Sequence, residues 1–365
     1  MISAFVFAPS EATLLSLILV LPIIRLVSGI GLHASKLLKA ITPESKIFLV
    51  ARNLKKAHQA KEKVVDYCGS RASNENLIPM ACDNTSLNSV REFCTALRKH
   101  LYHTKTRGGN SNGTNHNGID VLCLNAAVLL GEDAKAEFTE DDIEVTFQTN
   151  HLAPFLMARL LYDLINPGGR VVVTSSGLHA FSSFQEFRGC QLGGKPTKRF
   201  EMINGEKFNH KQCYASTKLC NIAFCFALNR RLRLKNAKAV CFTPGLIPSS
   251  GLFRHQKNWM ATAMKKQAVG MDDTVEWGGC MLAWMVLSER VVTNDPKAES
   301  TYWRAPLGIS KRGGRIPEDL FQTPVNEAAL ERTSQELLWR LSSDLVGVQY
   351  QDDATISQPE HIIDQ

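Results

Sequence analysis

The ten cysteines include no Cys-x-x-Cys pair and no grouping with histidine at zinc spacing, so no metal centre is expected. Several sit inside apolar runs, as in Val121-Leu122-Cys123-Leu124 and Ala223-Phe224-Cys225-Phe226, and read as buried reduced thiols. A chain of 365 residues needs no disulfide scaffold, and a reducing compartment is expected. Charge of one sign is also not concentrated. Lysine and arginine (42) exceed aspartate and glutamate (35) by 7, but no basic block interleaved with aromatics occurs, and nucleic-acid binding is not expected. Beyond the N-terminus no segment approaches ~18 uninterrupted apolar residues, so the body reads as soluble. Repeats of ~20–50 residues are absent. What remains is ample core material: 44% of residues are hydrophobic and 21% charged.

The first 27 residues, MISAFVFAPSEATLLSLILVLPIIRLV, hold one apolar run at 14–24. It is short for a membrane span, which needs ~20 residues. It also lacks the Lys or Arg that precedes a signal core and the A-x-A site that follows one. A first buried β-strand, a targeting or anchor segment, and a mis-assembled N-terminus are the three readings.

Beyond it, short apolar runs alternate with helical patterns. Strands are expected over 46–51, 77–82, 119–124, 169–174 and 239–242. Helices are expected over 33–40, 54–67, 89–101, 140–165, 214–234 and 327–345. Residues 103–118 read as a polar loop, and the Asn112-Gly113-Thr114 sequon within it as chance. Near-continuous apolar strands alternating with helices predict an α/β fold: one doubly wound parallel sheet with helices on both faces. The organisation expected is an apolar segment over 1–24, one domain over 25–348, a flap over 246–270 and a loose polar tail over 349–365.

In such sheets ligands sit beyond the carboxyl ends of the strands, so the informative residues follow each strand. Ser28-Gly29-Ile30-Gly31 leads into the first helix, where glycines and free helix N–H groups suit a pyrophosphate. An ordinary turn would read the same way. Arg52 follows the second strand, where a cation favours a 2′-phosphate, hence NADPH, although a solvated basic helix start would look alike. Asp83 follows the third strand, placed for an adenine edge or merely a turn cap. Asn125-Ala126-Ala127 follows the fourth, small enough for a nucleotide to lie against it, and Asn150 sits inside an apolar helical pattern. Ser175-Ser176 ends the Val171–Thr174 run, and Tyr214 and Lys218 follow at i and i+4 on one helix face. An ammonium beside a phenol is expected to lower the phenol's pKa and ready it for proton transfer. Pro244-Gly245 closes the set after the next strand.

At these residues the chain resembles the short-chain dehydrogenase/reductase family, from about residue 28 to 348. The resemblance implies a single Rossmann-type domain and a nicotinamide cofactor. It implies a site of Ser176, Tyr214, Lys218 and Asn150, with Tyr214 as proton donor, Lys218 on the nicotinamide ribose and Asn150 holding a water. Ser28, Gly29, Ile30, Gly31, Arg52, Asp83, Asn125, Ala126, Lys218, Pro244 and Gly245 are the expected cofactor contacts. Within the family, Tyr214–Asn221, Asn150-His151-Leu152, Gly251-Leu252-Phe253-Arg254, Tyr302-Trp303 and Asp344–Gly347 are similar to light-dependent protochlorophyllide reductases. Those enzymes use NADPH to reduce a ring C=C bond in chlorophyll synthesis, which implies a plastid setting and a tetrapyrrole substrate. Leu246 stands where that subfamily commonly has cysteine. Retinol- or steroid-dehydrogenase-like members share the Asn-His-Leu and Tyr-x-x-Ser-Lys stretches, so a carbonyl or alcohol oxidoreductase, cytoplasmic or peripheral on a membrane, is the alternative. A non-catalytic binding protein on the same scaffold is the third.

The flap mixes Leu252, Phe253, Trp259 and Met260 with Arg254, Lys257, Lys265 and Lys266. It suits an amphipathic cover over a large apolar ligand, or a membrane-surface contact. A packed surface helix with a basic face is the plainer reading. The oligomeric state stays open.

Overall fold

A computed structural model describes residues 18–22, 29–69, 74–107, 118–184, 208–255, 274–291, 302–304, 321–322 and 325–349. Their strands are β1 (Ile18–Pro22), β2 (Lys46–Ala51), β3 (Leu77–Ala81), β4 (Ile119–Leu124), β5 (Ile165–Thr174), β6 (Lys238–Thr243), β7 (Tyr302–Arg304) and β8 (Phe321–Gln322). They form one sheet in the order β3-β2-β1-β4-β5-β6-β7-β8. Pairing is parallel up to β7, and β8 joins it antiparallel. β1 is central: it pairs with β2 and with β4. The order of the first six strands is the dinucleotide-fold order, with its crevice between β1 and β4.

Residues that alternate along each strand fall to opposite faces. Phe48, Val50, Leu122, Leu124, Val171 and Val173 belong to one buried cluster. Ile47, Leu49, Val121, Cys123, Val172 and Val240 belong to the other. Both faces are covered, which is why the runs Ile47–Ala51, Val121–Leu124, Val171–Val173 and Ala239–Phe242 are apolar. Helices α1 (Ile30–Ile41) and α2 (Leu54–Cys68) cover the second face. α3 (Leu87–Arg107) covers the first, with α4 (Val145–Phe147), a π-helical turn at Gln148–Leu152, α5 (Ala153–Leu160) and α6 (His210–Arg233). α7 (Val275–Leu287) joins the second face, while α8 (Glu327–Leu330) and α9 (Arg332–Val346) complete the first.

Several expectations are corrected. The helix expected over 140–165 is two short helices around the π turn, and Ile165 already belongs to β5. α3 runs to Arg107, into the stretch expected as a loop over 103–118; residues 108–117, with the Asn112-Gly113-Thr114 sequon, lie outside the described residues. The helix over 327–345 divides at Glu331. α7, β7 and β8 are not among the expected elements; apart from Glu276, α7 is apolar on every side and gives no clean 3.6-residue stripe. Gly278 and Gly279 lie where α7 meets α1. A Cβ on Gly279 would stand 2.3 Å from His33 Cβ, so only glycine permits this approach to the helix that opens the crevice.

Candidate active site

The site grows from the ends of β5 and β6 and the start of α6. Asn209 accepts hydrogen bonds from Lys211 and Gln212 N–H at 3.0 Å and so starts α6. Tyr214 and Lys218 follow one turn apart, both buried. The Lys218 ammonium donates to the Thr174 carbonyl at 3.1 Å and lies 5.4 Å from the Tyr214 ring centroid. Ser175 Oγ donates to the Lys218 carbonyl at 2.8 Å, tying α6 to β5. Ser176 accepts from Leu178 N–H at 3.3 Å, capping a 3₁₀ turn at Gly177–Phe181, and its side chain meets the Tyr214 hydroxyl.

Burial pushes the Tyr214 phenol well above its usual range, with the Ser176 hydrogen bond pulling the other way. Burial likewise draws Lys218 down to about 8. The expected lowering of the phenol is therefore reversed: lost solvation outweighs the Ser176 hydrogen bond. The phenol keeps its proton at neutral pH and is set as a donor.

Ser176, Tyr214 and Lys218 share one wall of a cavity of 710 Å³. Gly29–Gly31 and Asn125–Ala127 form another wall, while Pro244–Ile247 and Gly251–Phe253 lie along its rim. Leu129, Leu178, Phe181, Leu246, Leu252 and Phe253 make it largely apolar. Gly245 turns the chain with φ 87°, a left-handed conformation that glycine adopts without strain. α1 begins at Gly29 with no side-chain cap and no acidic residue in its first turn, which suits an anion. Asn125 Oδ1 accepts from Thr174 Oγ1 at 2.9 Å, fixing the small-residue wall. These features fit a dinucleotide. Ser28 and flap residues 256–270, among them Trp259, Met260, Lys257, Lys265 and Lys266, lie outside the described residues.

Other expected residues are placed differently. Arg52 lines a second cavity, of 500 Å³, which shares Leu129 with the first and also receives Arg254. Its Nε is 3.6 Å from Asp83 Oδ2. Asp83 lines neither cavity; its Oδ1 accepts from Thr85 N–H at 3.1 Å and Thr85 Oγ1 at 2.8 Å, so it shapes the turn after β3. Asn150 also lines neither. Its Oδ1 accepts from Val128 N–H at 2.7 Å, and its Nδ2 donates to Val128 O at 3.0 Å and Thr217 Oγ1 at 3.1 Å. It braces the wall loop against α6, and one acceptor lone pair is left for a water.

Sequence reasoning passed over Glu144, which is buried, caps α4 through Phe147 N–H at 2.8 Å and accepts the Cys213 thiol at 3.1 Å beside Tyr214. Nothing in an isolated Glu signals this. Arg304, on the cavity wall, was likewise missed, although it directly follows the Tyr302-Trp303 pair.

The short chain dehydrogenase family model matches residues 23–186, spanning the glycine turn, the small-residue wall and Ser176. Over that stretch the chain is similar to the short-chain dehydrogenase/reductase family. That likeness is to a family of oxidoreductases that use a nicotinamide cofactor. It is similar to the chloroplastic protochlorophyllide reductase of Daucus carota, 26% identical over 340 residues, covering 88% of this chain and 76% of the relative. The protochlorophyllide reductase of Avena sativa is 28% identical over 343 residues, with 88% and 97% covered. A WW domain-containing oxidoreductase of Gallus gallus is 27% identical over 241 residues, with 65% and 50% covered. A solved Mycobacterium paratuberculosis protein superposes with TM-score 0.60 at 20% identity, covering 92% of this chain and 94% of the other. A Serratia marcescens short-chain dehydrogenase/reductase gives 0.55 at 15%, with 80% and 98% covered; both likenesses concern the fold. Among the described residues no helix is long and apolar enough to cross a membrane.

Proposed function

We propose that the protein is an NADPH-dependent reductase that saturates a C=C bond of a large apolar ring substrate, of the tetrapyrrole class taken by protochlorophyllide reductases. Residues 25–348 form its catalytic domain. The observation that carries the reading is the convergence of Ser176, Tyr214 and Lys218 on one wall of an apolar cavity that begins at the uncapped start of α1. A bound NADPH supplies the hydride.

The chain's residues do the rest. The start of α1 and the Asn125–Ala127 wall bind the dinucleotide, and Arg52 and Arg254 supply positive charge in the adjoining cavity for a 2′-phosphate. Apolar side chains from Leu129 to Phe253 exclude water from the reacting carbon atoms. Ser176 orients the Tyr214 hydroxyl, which delivers the proton to the carbon that does not take the hydride. Lys218, held by Thr174, stabilises the phenolate left behind, which regains its proton from solvent.

Leu246 on the cavity rim favours a second reading, a carbonyl or alcohol oxidoreductase acting on a retinoid or steroid, because no thiol is offered there. The converged triad weighs against a non-catalytic scaffold, which needs none of these groups. A plastid location goes with the first reading; a cytoplasmic or membrane-peripheral one goes with the second. One experiment separates them. Protein, NADPH and protochlorophyllide are illuminated and followed by absorbance, with retinal and steroid ketones assayed in the dark. Ring reduction supports the first reading; turnover of ketones alone replaces it with the second.

A further inference from the structure

We propose that a recess beside Ser176 is a subsite for a carboxylate carried by the substrate. This rests on the reading that the main cavity holds a large substrate, and it assigns that molecule's polar end. The recess has a volume of 310 Å³ and shares Gly177, Ala180, Thr243 and Arg304 with the main cavity. The two cavities therefore adjoin.

Three groups give the recess its chemistry. His179 is buried, 3% exposed, and its Nδ1 lies 2.7 Å from the Ser176 carbonyl oxygen. A carbonyl only accepts, so Nδ1 carries the hydrogen and Nε2 presents a lone pair. Among the described residues Nε2 has no partner. Burial draws this imidazole's pKa down, which keeps it neutral. Tyr302 is 1% exposed, its ring packs edge-on to His179 at 4.9 Å, and Thr243 lies beside it. The Thr243 side chain can donate to its hydroxyl oxygen, while the phenol hydrogen has no acceptor among the described residues. Arg304 is two residues along the same strand, hence on the same face. It is exposed, lines both cavities, and pairs with no acidic side chain among the described residues.

Buried polar groups without partners are costly unless a ligand or water pairs them, and two adjacent ones beside an unneutralised cation define a polar receptor. Asn326, also on the wall, is already engaged: it donates to Ser182 O at 2.6 Å and accepts from Ala328 N–H at 3.0 Å. One cation and one hydroxyl donor therefore line the recess, a match for a singly charged carboxylate rather than a doubly charged phosphate. One carboxylate oxygen takes Arg304 and the other the Tyr302 hydroxyl. A water in the remaining space donates both to His179 Nε2 and to the carboxylate.

The test compares acids with their methyl esters by quenching of tryptophan fluorescence in the NADPH-loaded protein. Protochlorophyllide and its methyl ester form one pair, retinoic acid and its methyl ester the other. For at least one pair the acid binds about tenfold or more tightly than the ester. Arg304→Gln removes that preference, Tyr302→Phe reduces it, and both variants keep the native melting temperature and NADPH affinity. Equal binding of acid and ester, a preference that survives Arg304→Gln, or failure of every acid to bind overturns the subsite. If only the retinoid pair shows the preference, the subsite stands and the tetrapyrrole reading falls.

Discussion

The Ser175 hydroxyl donates to the Lys218 carbonyl at 2.8 Å, while the Lys218 ammonium reaches back to the residue before Ser175. Strand β5 and helix α6 are thereby stitched in both directions at the point where Ser176 meets Tyr214. The lysine is a positioning element before it is a charge.

Tyr214→Phe removes the proposed proton donor without changing its packing. Turnover is expected to fall by about two orders of magnitude or more, with NADPH affinity unchanged. Steady-state rates beside a cofactor titration check this; undiminished turnover would show that another group protonates the substrate.

Arg52 is held near Asp83 and opens on the second cavity. Arg52→Gln is expected to weaken NADPH by about tenfold or more while leaving NADH nearly as before. Equal losses for the two nucleotides would remove the 2′-phosphate role.

Leu246→Cys places a thiol on the rim of the apolar cavity. If the cavity accepts a tetrapyrrole, light-driven reduction rises above the native level. Absence of any gain, with the native fold retained, points to the carbonyl-reductase reading.

How much of this was legible beforehand differs by kind of residue. β2 and β4 matched to the residue because a strand buried on both faces is mostly apolar and is cut off by polar neighbours. The Tyr214/Lys218 pair was legible because helical spacing alone puts them on one face. Asn150 and Asp83 were legible as polar anomalies but not in role, since only tertiary contacts show that they brace a loop and a turn. Tyr302 and Arg304 contribute through a three-residue strand, too short to give a periodic signal. The direction of the Tyr214 shift depended on burial, which spacing does not report.

Glu336 joins α9 to α6. Burial pushes its carboxyl up, but hydrogen bonds from Arg231 at 2.7 Å and Arg230 at 2.6 Å prevail and hold it at about 2. The folded state thus binds fewer protons than the unfolded chain between pH 4.5 and about 2, and stability drops as pH falls through that window. Glu336→Gln should flatten that part of an acid denaturation curve. At neutral pH it should cost about 3 kcal/mol, because Arg231 stays buried beneath Trp339 without its counter-charge.

At the other extreme, burial pushes the Cys94 thiol up to about 12, and Cys82 and Cys123 rise further. Above pH 9 these thiols ionise in the unfolded chain but not in the fold, so stability declines as pH rises from there. Thermal melts from pH 8 to 11 check the decline, and Cys94→Ala should make it shallower.

β1 lies between β2 and β4, yet it is the earliest of the eight to leave the ribosome. Its hydrogen-bonding edges must wait for two partners made later, the second of them only after α3. During that interval the nascent chain offers an unpaired apolar ribbon to chaperones or to its own neighbours. Any protease that trimmed the chain past Pro22 would leave the finished sheet as two halves with no seam between them.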